Sequence, residues 1–176
     1  RTAETPDELW LTEHPPVFTQ GQGGKPEHLL RDIGIPIVKI DRGGQVTYHG
    51  PGQAVVYLLV DLNRRSLKVR ELVSRIEQAA IDLLAAYGLR GERMAGAPGV
   101  YVGGAKIAAL GLRVKGGCCY HGVALNVDME LAPFSAINPC GYPGLKVTRL
   151  RDLGVADGWE AAGEALMEQL IRQLGT

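Results

Sequence analysis

The chain is 176 residues long, enough for one domain with a full core, and its 45 % apolar content is ordinary for a globular protein. Nineteen basic residues balance nineteen acidic ones, so the charge does not point to nucleic acid, and no cationic amphipathic helix or membrane-length apolar run points to a membrane. Three cysteines, Cys118, Cys119 and Cys140, with no visible signal peptide, argue against a disulfide framework and for a reducing, cytoplasmic setting.

Taken in chain order, Leu9-Trp10-Leu11 and Val17-Phe18-Thr19 read as short strands around the turn-forming His14-Pro15-Pro16. Pro26 to Ile33 reads as a short helix with Gly34 after its end. Ile35 to Ile40 and Ala54 to Asp61 read as strands, the second Val- and Leu-rich enough to be central in a sheet. Val69 to Tyr87 has helical spacing of Leu72, Val73, Ile76, Ala79, Ala80, Leu83, Leu84 and Tyr87, with Gly88 at the stop. Val100 to Val102, Gly103-Gly104 and Ala105 to Val114 predict a hairpin, because Gly-Gly suits a two-residue turn of positive φ. Tyr120 to Val127 is a further strand, Pro133 to Ile137 a helical turn, and Trp159 to Leu174 an amphipathic helix. The sum is an α+β domain, with a mixed, largely antiparallel sheet and helices on one side.

Between Ile40 and Ala54 lie Arg42, Gly43, Gly44, Gln45, Val46, Thr47, Tyr48, His49, Gly50, Pro51, Gly52 and Gln53. A plain strand connection does not need so long a stretch of glycine and hydrogen-bonding side chains. Glycines allow close approach to the backbone, and the polar groups here supply donors and acceptors around that space. The spacing predicts an ordered loop that belongs to a site.

Cys140 follows Pro139 and precedes Gly141, a turn that can present a thiol to a substrate beside backbone N–H groups. A free cysteine is also commonly a buried structural residue. Lys106 opens an apolar strand, where an ordinary lysine would reach for water. Held in a dry pocket instead, a lysine sheds its proton more readily and can take one from a thiol. His49 and His121 are the conventional alternatives as partners of Cys140. Cys118, Cys119 and His121 lie close together, but adjacent cysteines in a strand point to opposite faces and the spacing is not that of a zinc site.

Four segments together resemble the lipoyl(octanoyl) transferases: Arg42 to Gln53, Gly99 to Ile107, His121 to Val127, and Asn138-Pro139-Cys140-Gly141. Glu13 to Gly21 also fits, and the match runs from about Leu9 to Leu150 in the family's order. The resemblance implies the fold of lipoate and biotin protein ligases, as one catalytic domain over residues 1–176 without the family's N-terminal helical segment ahead of Trp10. It implies a Cys–Lys dyad on Cys140 and Lys106. Substrate contacts fall on Arg42 to His49, on Ala109, Leu110 and Gly111, and on Gly122, Val123 and Ala124.

The expected reaction moves an octanoyl group from acyl carrier protein to a lysine of a lipoyl domain, in 2-oxoacid dehydrogenase complexes or the glycine cleavage H protein. A thioester is already activated, so no cofactor, ATP or metal is expected. The alternatives are an ATP-dependent lipoate or biotin ligase, which needs no cysteine nucleophile, and a non-catalytic module that grips acyl carrier protein or a lipoyl domain.

Overall fold

The computed structural model describes Thr2 and residues 4–175. Among the described residues, nine strands form two sheets. The larger has six strands, β1 (Glu8–Thr12), β5 (Gln53–Asp61), β9 (Cys118–Asn126), β8 (Ala105–Lys115), β7 (Ala97–Val102) and β6 (Glu92–Met94), side by side in that order and antiparallel throughout. The smaller has β3 (Ile37–Lys39), β2 (Val17–Gln20) and β4 (Val46–His49), with β2 central, parallel to β3 and antiparallel to β4.

Helices α1 (Val69–Ala86) and α2 (Trp159–Leu174) pack on each other and on one face of the large sheet. Val56, Leu58 and Val60 of β5 meet Leu72, Ile76 and Leu83 of α1 and Leu166 and Leu170 of α2 in the main core. The period-2 alternation of β5 turns Val55 and Tyr57 to the other face. α1 ends where Gly88 takes φ +74°, with Gly88 N–H donating to Ala85 O and Leu89 N–H to Leu84 O, a left-handed stop that suits glycine.

A second core lies on the outer face of the small sheet, where Phe18, Val46 and Tyr48 meet Met129, Phe134 and Ile137. The Phe18 and Tyr48 rings are 5.6 Å apart, and Tyr48 meets Phe134 edge-on at 5.5 Å.

Three local expectations change. Pro26 to Ile33 is not a helix. A 3-10 turn covers only Pro26–His28, and Leu29 then bridges to Ile137, so the segment serves as a tie for the Cys140 loop. The run Ile35 to Ile40 is reduced to Ile37–Lys39, an exposed edge strand. The stretch from Arg42 to Gln53 is not one loop but a turn, the strand β4 and a second turn. Cys118-Cys119 follow a second Gly-Gly hairpin, Gly116 at φ +57° and Gly117 at φ +78°, which joins β8 to β9.

Candidate active site

A cavity of about 430 Å³ opens between the two sheets. Its floor is the face of the large sheet away from the helices. Val55, Ala124 and Ala109 stand in one row across β5, β9 and β8, and Tyr57, Gly122 and Gly111 stand in the next. Directly opposed residues of antiparallel strands share a face, so four small residues hollow the floor. The small sheet supplies the facing wall through Val17, Thr19, Thr47 and His49. No carboxylate lines the cavity among the described residues.

Lys106 Nζ lies 3.3 Å from Cys140 Sγ at this cavity. Lys106 is 4 % exposed, so it does not reach for water as a strand-end lysine would. Gly99 at φ +130° makes room for its stem, since a Cβ there would meet Lys106 Cε at 2.8 Å. The Tyr101 ring centroid is 5.5 Å from Nζ, a cation–π distance. The Lys106 backbone is clamped from both sides: its N–H donates to Lys146 O and its C=O accepts from Thr148 N–H. The segment following Cys140 therefore holds the lysine that faces it.

Cys140 has φ +57° and ψ +19°, a left-handed conformation that costs a non-glycine residue on the order of 1–3 kcal/mol. The surroundings hold it there. Asn138 N–H donates to His28 O, Leu29 bridges to Ile137, and the Tyr142 hydroxyl donates to Gly96 O. The Gly141 and Tyr142 N–H groups are occupied within the turn by Asn138 O and Pro139 O, so neither is free to face an oxyanion.

Arg42 is buried, and its guanidinium is held by neutral oxygens: Thr19 O and Oγ1, Gly43 O and Gln45 O, all at 2.7–3.2 Å. Desolvation pulls the guanidinium below its ordinary value, and the nearby Cys140 sulfur acts in the opposite sense. Gln45 accepts from Lys25 N–H and packs beneath Gly141, where a Cβ would sit 3.0 Å from Gln45 Cγ.

The histidines have partners other than the thiol. His49 Nδ1 is 2.7 Å from Gln53 Oε1, and burial, helped by Arg42 and His14, pulls the imidazole down to about 4. His121 takes φ +65° and bonds Asp41 Oδ1 through Nε2 at 2.8 Å, while the Tyr120 hydroxyl bonds the same carboxylate. Geometry therefore pairs Cys140 with Lys106. Cys119 faces the helix-side core, where burial pushes its thiol up to about 11. No cluster of three His, Cys, Asp or Glu side chains fit for a metal occurs among the described residues.

Of the expected contact residues, Arg42, Gly44, Gln45, Thr47 and His49 line the cavity, as do Ala109, Leu110, Gly111, Gly122, Val123 and Ala124. Gly43, Val46 and Tyr48 do not. Alternation along β4 sends Val46 and Tyr48 into the outer core, and Gly43 instead ties its turn to β8 by donating to Leu112 O. His14, Tyr57, Val38, Ile40, Pro98 and Tyr142 also border the cavity. Alternation along β5 marks Tyr57 in the sequence, but nothing local marks His14, which arrives from the turn after β1.

The family model for the lipoyl protein ligase A/B catalytic domain matches residues 1–174. An octanoyltransferase of Dechloromonas aromatica (strain RCB) is 68 % identical over 174 residues, 99 % of this chain and 85 % of that protein. Among solved structures, lipoate-protein ligase A bound with ATP superposes with a TM-score of 0.77 at 16 % identity, over 98 % of this chain and 74 % of that one. Biotin protein ligase of Aquifex aeolicus with biotin and ATP gives 0.61 at 11 %, over 92 % and 68 %. These two likenesses speak for the fold alone. No helix among the described residues is long and apolar enough to cross a membrane.

Proposed function

The chain belongs to the lipoyl protein ligase A/B catalytic-domain family, and from that premise we propose that it is an octanoyltransferase of lipoate biosynthesis working through a thioester on Cys140. The observation that carries this reading is the 3.3 Å contact between Lys106 Nζ and Cys140 Sγ at the edge of a largely apolar cavity. A ligase that activates a free acid with ATP has no use for that contact.

Lys106 accepts the Cys140 proton, and the thiolate attacks the thioester carbonyl of octanoyl-acyl carrier protein. The carrier thiolate leaves and takes the proton back from Lys106. A neutral lysine amine of a lipoyl domain then attacks the acyl-enzyme, its proton passes to Lys106, and Cys140 leaves as thiolate to be reprotonated. The Arg42 guanidinium, close enough to Cys140 to interact with it by charge, favours the anionic intermediates. Burying the eight-carbon tail over the Ala109, Gly111, Gly122 and Ala124 floor contributes about 5 kcal/mol, at roughly 0.8 kcal/mol per CH₂.

Intact mass spectrometry tests the reading. Mixing with octanoyl-acyl carrier protein should add one octanoyl mass, removable by neutral hydroxylamine and absent in Cys140→Ala. Normal transfer by Cys140→Ala, or a label on Cys118 or Cys119, would overturn it.

A further inference from the structure

Lys106 faces Cys140 because β8 breaks its own alternation. Ala109 and Gly111 line the cavity. Counting back by twos from them would place Ile107 at the cavity and turn Lys106 to the helices. The reverse is found: Ile107 and Ala108 are both buried in the helix-side core, and Lys106 borders the cavity. The register gives the cause. Val100 pairs with Ala108 and Tyr101 with Lys106, so one step along β7 answers two along β8, and Ile107 is the extra residue of a β-bulge. A bulge of this kind re-aims the side chains beside it.

β7 is irregular on its other side as well. Ala97 pairs with Met94 and Tyr101 with Glu92, four positions on β7 against two on β6, and Gly99 lies inside that excess. The Gly99 N–H leaves the sheet and donates to Glu77 Oε1 of α1 at 2.9 Å. Glu77 Oε2 accepts from Arg93 Nε of β6 at 3.0 Å, so the carboxylate is anchored to both strands. Arg93 is itself steadied by donating to Ser74 O and Gln78 Oε1. The other buried residues of α1 are all apolar. A carboxylate is tolerated among them only with its hydrogen bonds made.

We propose that Glu77 is a positioning residue for the Lys106–Cys140 pair: its carboxylate takes the N–H that the sheet leaves over at Gly99, and so holds the bulge that turns Lys106 to the cavity. The inference rests on the acyl-transfer reading above and adds to it a helix residue whose bonds go to the backbone behind the lysine. The link is short. A Cβ at Gly99 would lie 2.7 Å from Ala108 O and 2.8 Å from Lys106 Cε, so Gly99 abuts both flanks of Ile107. Without an acceptor the Gly99 N–H would be buried and unpaired, and the backbone would turn to find one. β7 then shifts against Lys106, and the 3.3 Å contact between Nζ and Cys140 Sγ opens.

The test is single-turnover acylation of Cys140 by octanoyl-acyl carrier protein, read by intact mass, in a double-mutant cycle. Glu77→Leu should slow acylation by about 10–10²-fold, the scale set by a small displacement of a catalytic group. Glu77→Gln keeps an oxygen for Gly99 and should stay close to the wild-type rate. In the Lys106→Met background Glu77→Leu should slow acylation no further, because its effect runs through Lys106, whereas a general loosening of the fold would slow both backgrounds alike. Should Glu77→Leu not fold, Glu77→Asn, polar but too short to reach Gly99, takes its place in the cycle. Deuterium exchange at the Gly99 amide should be slow in the wild type and in Glu77→Gln, and faster in Glu77→Leu. Fast exchange in the wild type overturns the inference without any variant. So does equal slowing with and without Lys106, wild-type acylation by Glu77→Leu, or lost acylation in Glu77→Gln with Gly99 still protected. Each of these leaves the octanoyl reaction standing. A wild-type protein that never acylates Cys140 overturns the reaction and this inference with it.

Discussion

Gly111 and Gly122 stand directly opposite each other in the β8–β9 ladder, and both line the floor of the cavity without a side chain. They are not equally replaceable. A Cβ on Gly122 would lie 1.9 Å from the Val56 carbonyl oxygen, a backbone atom of the neighbouring strand. A Cβ on Gly111 would meet Arg42 Cδ at 2.8 Å, the stem of a side chain held by at least three carbonyls. Gly122→Ala should therefore destabilise the fold by about 1–3 kcal/mol, read as a fall in Tm. Gly111→Ala should instead displace Arg42 and slow acylation. An unchanged Tm in Gly122→Ala would mean that β5 and β9 can part without cost.

Ala109 and Ala124 offer a gentler way to change the cavity, because both are adjacent floor residues already carrying a Cβ. Ala109→Leu fills the space that the middle of an acyl chain would use. It should lower the rate with octanoyl and shift preference to shorter tails, by about 1–3 kcal/mol per methylene excluded. Competition between hexanoyl, octanoyl and decanoyl carriers measures this. Retention of octanoyl preference would show that the tail does not cross this floor.

Lys106 has two separable jobs in the proposed cycle, charge and proton transfer. Lys106→Met keeps the approximate length and removes both, so acylation should fall by about 10²–10⁴-fold, the usual contribution of a general base. Alkylation of Cys140 at neutral pH should slow with it. Lys106→Arg keeps a charge that cannot leave, so alkylation should persist better than turnover. Near-normal turnover in the arginine variant would assign the proton to another group.

The sequence carries the elements better than it carries their meeting. α2 is legible residue for residue, and the Gly103-Gly104 hairpin is too, because both rest on local rules of period and turn chemistry. β3 is legible only as a strand: its run reads from Ile35 to Ile40, and the edge position of the element shortens it to Ile37–Lys39 with Ile37 and Val38 exposed. At the site, Cys140 and Lys106 are 34 positions apart, and residue patterns alone leave Lys106 looking like a strand-end lysine. The family resemblance singles it out, and the structure buries it beside the Cys140 sulfur. Glu77 shows what escapes altogether. It lies on the buried face of α1, bonds Arg93, and accepts from Gly99 N–H at 2.9 Å, so a helix residue supports the glycine that makes room for Lys106. No local pattern reports a contact between elements so far apart in the chain.

Gly99 gives the next prediction. Its φ of +130° is a region L side chains rarely adopt, and a Cβ would lie 2.7 Å from Ala108 O and 2.8 Å from Lys106 Cε. Gly99→Ala should cost about 1–3 kcal/mol of stability and also push Lys106 away from Cys140. Its loss of acylation should exceed that of a surface variant matched in Tm. Full acylation at a lowered Tm would show that the glycine serves the fold and not the lysine.

His49 gives a prediction about pH. Its imidazole is held at about 4 in the folded protein, against an ordinary value of 6.5, because burial and the Arg42 and His14 side chains disfavour its charge. Above pH 6.5 the ring is neutral in both states and costs nothing. Below that the unfolded chain takes up a proton that the folded chain refuses, so stability falls as pH drops from about 6.5 to about 4. The loss from this one group approaches about 3 kcal/mol at the lower end. His14, also depressed by burial, adds to it in the same direction. Asp7, bonded to Arg64 and Arg65, also lies below its ordinary value, so its contribution is lost only at still lower pH, beneath this window. Denaturant unfolding at several pH values should show the fall in wild type, and His49→Gln should flatten it by most of that amount whatever its absolute stability. The same ring should stay neutral through the working pH range, so the pH profile of Cys140 acylation should keep its shape in His49→Gln while its rate falls. A profile that loses its acid limb in this variant, with an unflattened stability curve, would make His49 the proton acceptor in place of Lys106.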